Sequence, residues 1–69
     1  MNLNARVSKN MKSIRLHKGI SQEDLADMCE LHRTYIGAIE RDERNITLKT
    51  LEKICAALDC SASELLALA

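Results

Sequence analysis

The stretch LHRTYIGAIERDERN, residues 31–45, gathers the side chains in this chain best suited to recognising another molecule. Arg33 carries a planar fork of donors that meets two neighbouring acceptors at once, and Thr34 adds a hydroxyl beside a methyl. Tyr35 is the only aromatic residue present, and Gly37 and Ala38 follow in the next turn. A buried tyrosine needs a partner for its hydroxyl and a large cavity for its ring, which a neighbour as small as Ala38 does not form. Tyr35 is therefore expected to be exposed, with a flat apolar face and a hydroxyl on offer. Gly37 weakens a helix by ~1 kcal/mol relative to Ala, so its place here suggests that its backbone approaches something closely, drift on an exposed face being the plain alternative.

Reaction chemistry has no comparable grouping. There is no Ser/His or Cys/His motif and no Gly-rich phosphate loop, and the paired acids Glu23 and Asp27 fall on one short helical segment without sign of a pocket. Cys29, Cys55 and Cys60 are odd in number and lie outside any C-x-x-C or zinc spacing, and His17 and His32 have no evident partners. These read as packing and surface residues, the cysteines reduced. No enzyme, metal or cofactor is expected.

The elements that must position Arg33 to Tyr35 are helical. Apolar residues recur at helical spacing throughout and no period-2 strand appears, so the chain is expected to be all-α. A first helix over about residues 4–18 carries Val7, Met11 and Ile14 on one stripe and stops at Gly19. Ser21 caps a second, with Leu25, Met28 and Cys29 facing inward, and a third carries Tyr35, Ile36, Ile39 and Glu40. After a break over residues 42–46, Thr47 caps a fourth with Leu48, Leu51, Ile54, Cys55 and Leu58 on its stripe. Ser61 and Glu64 form a capping box that opens a last helix with Leu65, Leu66 and Leu68. Five short helices with short connections make a compact bundle.

A chain of 69 residues is one domain, 1–69, and with no Phe or Trp its core must be aliphatic. Such a core rarely supplies more than ~3–5 kcal/mol, which makes pairing with a second copy an expectation. No apolar run nears the ~18 residues of a membrane span and no secretory pattern opens the chain, so the cytoplasm is expected. Net charge is zero, yet Arg6, Lys9, Lys12, Arg15 and Lys18 precede every acid, while Glu23, Asp24, Asp27 and Glu30 form a run without bases. A neutral total can hide a basic face, or describe two solvated helix surfaces of opposite sign.

Residues 21–40 have the length of two short helices joined by a tight turn, the layout of a helix-turn-helix, with Ala26 small where the helices cross. The segment SQEDLADMCELHRTYIGAIE resembles the helix-turn-helix of the λ repressor/Cro (Xre) family. The similarity runs from Ile14-Arg15 through TLKTLEKICAALDCSASELL, and RTYIGAIERDERNITLKTLEKI is similar to the controller proteins of restriction-modification systems. That resemblance implies a λ repressor-like DNA-binding domain with its helix-turn-helix at about 21–40 and dimerisation helices at about 47–69. It implies a homodimer on a palindromic double-stranded DNA operator, regulating its own gene and the endonuclease gene.

The resemblance also assigns roles. Base edges would be read by Arg33, Thr34, Tyr35, Gly37 and Ala38, and Arg33 can donate to guanine O6 and N7 together. The DNA backbone would be met by Ser21, Gln22, His32, Arg44 and Asn45, with Gln22 at a helix N-terminus that favours an anion. Arg44 in an irregular loop could equally be solvated surface. Arg15 and Glu40 match a partly buried ion pair. Glu23 and Asp27 match positions that touch RNA polymerase, with compensation of the helix dipole as the plain alternative. Apart from the resemblance, Leu65, Leu66 and Leu68 are more than a small core absorbs, and with part of the fourth helix they are the expected dimer interface.

Two positions depart from the family pattern. Glu30 stands where the turn usually has Gly, so it must adopt a left-handed conformation or widen the turn. His32 stands where Ser, Thr or Asp commonly caps the recognition helix, leaving either a weaker cap or an imidazole turned to a phosphate. A phage-type repressor, and an antitoxin-type interaction module that does not read DNA, are the competing readings.

Overall fold

The structure, a computed structural model, describes residues 2–68. Its elements are α1 (Leu3–His17), α2 (Gln22–Cys29), α3 (Arg33–Glu40), α4 (Leu48–Leu58) and α5 (Ala62–Leu66), with no strand among the described residues. Every start is capped by a side chain. Asn2, Ser21, Thr47 and Ser61 each accept the backbone N–H three residues on, and His32 accepts that of Thr34. The expected capping box is present, since the Ser61 N–H also donates to Glu64 Oε1 at 3.1 Å.

A left-handed residue follows each of the first four helices, Asp42 at φ 58° after α3 among them. Gly19 takes φ 70° after α1, as expected, whereas Glu30 and Asp59 take φ 58° and 51° after α2 and α4 without being glycine. At Glu30 the turn is thus kept tight and the left-handed strain is accepted, at roughly 1–2 kcal/mol for a residue with a Cβ. The Leu31 N–H donates back to the Ala26 carbonyl at 2.9 Å, which closes the turn between α2 and α3.

The core is aliphatic, as composition requires. Val7 and Met11 of α1, Leu25, Ala26 and Cys29 of α2, Ile36 and Ile39 of α3, Leu51, Ile54 and Leu58 of α4, and Leu65 of α5 form one buried cluster. Ile14 and Cys55 pack at its edge, half-buried.

Three apolar residues sit differently from expectation. Met28 is 52% exposed. At roughly 100° per residue, Leu25, Ala26 and Cys29 span one arc of α2, and Met28 falls outside it. Leu48 is 85% exposed for the same reason, because Thr50, Leu51, Ile54 and Leu58 set the inward arc of α4 away from its first residue. Leu65 is fully buried and offers no surface to a second copy, so it leaves the expected interface. The cause lies in α1: Asn10 Nδ2 donates to the carbonyls of Leu65 at 2.9 Å and Ala67 at 2.8 Å, holding α5 down so that Leu65 enters the core. Leu66 is half-buried and Leu68 remains 77% exposed.

Candidate nucleic-acid interface

The apolar side of α3 is Ile36 and Ile39, both buried, and this turns Arg33 and Thr34 to solvent at the N-terminal end of the helix. Ala38 is half-buried one turn on. The start of α2 faces the same side, and Ser21, Gln22, Glu23, Arg33, Thr34, Gly37 and Arg41 line one open cleft.

Within the cleft the polar groups are arranged by their neighbours. Arg33 Nη1 lies 3.2 Å from Glu23 Oε2, an ion pair between the two helices. His32 Nδ1 accepts the Thr34 N–H at 3.1 Å, so its protonated nitrogen is Nε2, an outward donor. The imidazole therefore caps the helix without giving up its other nitrogen, and the two expectations for His32 are compatible. Ser21 spends its hydroxyl on the cap of α2, leaving the first backbone N–H groups of the helix beside it.

Gly37 is buried, and its close neighbours belong to this chain. A Cβ there would stand 3.1 Å from Arg41 Nη1 and 3.6 Å from Gln22 Oε1. The close approach expected of this glycine is thus already made by two side chains of the cleft. Arg41, which no pattern in the sequence singles out, belongs to the cleft and pairs with Glu43 at 3.1 Å.

Tyr35 is half-buried, not freely exposed. It packs against the edge of the core, and the Arg44 guanidinium sits 5.1 Å from the ring centroid, within cation–π range. The loop that carries Arg44 is fixed from α1: Asn4 Nδ2 donates to Asn45 Oδ1 at 2.7 Å, and Asn4 Oδ1 accepts the Ile46 N–H at 3.1 Å. No sequence signal pointed to Asn4, because its partners lie about forty residues away.

Beneath the cleft lies the expected ion pair. Arg15 Nε donates to Glu40 Oε2 at 2.7 Å and Nη2 to Glu40 Oε1 at 3.0 Å, with side-chain exposures of 7% and 3%. Arg15 Nη1 donates to the Ile20 carbonyl at 2.9 Å, and Gln22 Nε2 to Glu40 Oε1 at 3.0 Å. The hydrogen bond to Glu40 raises the Arg15 pKa, against the opposing effect of burial. Arg15 thus leaves the set of bases at the surface of α1, whereas Lys9, Lys12 and Lys18 stay exposed.

Glu23 and Asp27 are exposed one turn apart on α2. No cluster of metal-ligating side chains occurs among the described residues, and no helix among them is long and apolar enough to cross a membrane. Cys29 is buried, and Cys55 and Cys60 are half-buried, all three unpaired.

Comparison with known proteins gives this arrangement a context. A sequence profile of the family described as helix-turn-helix matches residues 11–65. A hypothetical transcription factor of Neisseria meningitidis is 48% identical over 64 residues, covering 93% of this chain but 60% of the Neisseria protein. The control protein C.SmaI of Serratia marcescens is 46% identical over 66 residues, covering 96% of this chain and 79% of that protein. Among solved structures, the restriction-modification controller protein C.AhdI of Aeromonas hydrophila superposes with a TM-score of 0.86 at 37% identity, over 90% of this chain and 94% of that one.

Proposed function

We propose, on the premise that this chain belongs to the helix-turn-helix family, that it is a sequence-specific DNA-binding transcription regulator of the restriction-modification controller kind. The observation that carries the reading is the outward pair Arg33 and Thr34 at the N-terminal end of α3, beside the N-terminus of α2 in one open cleft. In such a motif the second helix lies in the major groove and its first residues meet base edges. Arg33 reads guanine, Thr34 reads a base or packs its methyl on thymine, and Ala38 and the ring of Tyr35 supply apolar contact.

The first N–H groups of α2, with Ser21 and Gln22, hold a phosphate, and His32 Nε2 donates to another. Arg44 and Asn45 meet the backbone beside the groove from the loop that Asn4 fixes. Glu40 and Arg15 set the angle between these helices without touching DNA.

One module spans too few base pairs for useful affinity, so two copies read a palindrome with half-sites about 10–10.5 base pairs apart, or a multiple. Leu3, Val7, Ile46, Leu48, Leu51 and Leu66 line an apolar groove, and this groove, with Leu68 in place of Leu65, is the self-association surface. Asp27, with the exposed Met28 beside it, faces RNA polymerase when the dimer sits next to a promoter; Glu23, expected in the same patch, is instead paired with Arg33 in the cleft. The regulated genes are its own and that of a partner endonuclease, in the cytoplasm.

The test is a shift titration of the protein on the DNA upstream of its own gene, at two salt concentrations, with Arg33→Ala alongside. Binding whose log–log salt slope is about −0.9 per phosphate neutralised, and which Arg33→Ala weakens on that DNA, is the expected result. Absence of binding at low salt would overturn the reading in favour of a protein-interaction module.

A further inference from the structure

The surface around α3 holds three arginines, and each is met by a partner from its own chain: Arg33 by Glu23 at 3.2 Å, Arg41 by Glu43 at 3.1 Å, and Arg44 by the Tyr35 ring at 5.1 Å. Free arginines on such a face attach to any phosphate, which gives affinity without sequence information. The Glu23–Arg33 pair differs from the Arg41–Glu43 pair in one respect. It joins two helices, spanning from the first turn of α2 to the first residue of α3, whereas Glu43 is two residues from its arginine.

Both members of the Glu23–Arg33 pair are about two-thirds exposed, at 66% and 68%, so the pair adds little to folding. Its consequence is for what Arg33 can bind. Glu23 occupies one Nη1 hydrogen, and the exposed guanidinium makes no other hydrogen bond among the described residues, so its remaining N–H groups stay open to a pair of adjacent acceptors. Guanine O6 and N7 are such a pair, and they are uncharged, so a carboxylate one hydrogen bond away does not repel them. A phosphate drawn to Arg33 meets that carboxylate at close range and is repelled.

We propose that Glu23 is a specificity-determining residue that holds Arg33 as a Glu–Arg unit, favouring base edges and disfavouring phosphate capture. This role rests on the DNA-binding reading above. It also accounts for a nucleic-acid face on a chain of zero net charge: the neighbouring acids lower indiscriminate binding while leaving base reading intact.

The experiment measures Kd on the protein's own upstream DNA and on an unrelated duplex of equal length, for wild type, Glu23→Gln, Arg33→Ala and the double variant. Asp24→Asn serves as the control, because Asp24 is exposed on the same helix and outside any ion pair among the described residues. Glu23→Gln is expected to tighten binding to the unrelated duplex about two- to fivefold more than to the upstream DNA, the scale of an exposed pair. That difference should disappear in the Arg33→Ala background and be absent from Asp24→Asn. Equal tightening on both duplexes, or the same loss of selectivity without Arg33, overturns the role of Glu23 while leaving the DNA-binding reading in place. If wild type binds neither duplex, the parent reading fails and this one with it.

Discussion

Glu40 accepts two hydrogen bonds from Arg15, at 2.7 Å and 3.0 Å, and so fastens the C-terminal end of α3 to the last turn of α1. The same carboxylate takes the Gln22 amide at 3.0 Å, which brings in the first residue of α2. One buried side chain thereby sets the relation of three helices, two of them those of the helix-turn-helix.

Glu40→Ala strands a buried guanidinium, and losing one partner of such a pair destabilises by about 3–5 kcal/mol. A domain of this size has roughly that much stability in total. The variant is expected to be largely unfolded at 25 °C by circular dichroism, and a Tm close to that of wild type would refute the role given to the pair.

Gly37→Ala separates fold from function. The helix gains as much as ~1 kcal/mol of propensity, and the Cβ meets only the ends of the Arg41 and Gln22 side chains. Thermal stability is expected to stay level or rise slightly while DNA affinity falls, because Gln22 and Arg41 are pushed aside within the cleft. A marked loss of Tm would mean that these side chains cannot yield.

Leu65 and Leu48 exchange the roles that an apolar count suggests. Leu65→Ala empties a fully buried site and is expected to cost about 2–5 kcal/mol in urea denaturation. Leu48→Asp changes a residue that is 85% exposed, so the fold should persist. Sedimentation equilibrium of this second variant is expected to show monomer; an intact dimer would move the interface elsewhere.

Burial first, then the neighbouring Cys55 and Glu64, push the Cys60 thiol from 9.0 up to about 11. The folded state therefore holds this proton more tightly than the unfolded state, and the stability tied to it is complete below pH 9 and lost as pH rises toward 11. Urea midpoints should fall over that window more steeply for wild type than for Cys60→Ala. Parallel curves for the two proteins would show that the thiol does not contribute.

Local signals in the sequence carried the helices well. Ser21, Thr47 and Ser61 stand where their hydroxyls cap, and Gly19 takes the positive φ for which a glycine serves. The Arg15–Glu40 pair came from family resemblance, since no spacing rule joins residues 25 apart. Periodicity marks a stripe but not its centre, so it counts Met28 and Leu48 as inward when they are not. It is also silent on the clasp from Asn10 that draws Leu65 into the core. Glu23 with Arg33, Asn4 with Asn45, and Arg44 with Tyr35 are contacts between elements, visible only once the helices are packed.

The aliphatic core has a spectroscopic consequence. With no Trp and a single tyrosine, all intrinsic emission from this protein originates at Tyr35 of α3, beside the Arg44 guanidinium. The chain carries its own site-specific fluorophore at the surface proposed to meet DNA, with a background that the core cannot contaminate. Occupancy of that surface is therefore readable without a dye.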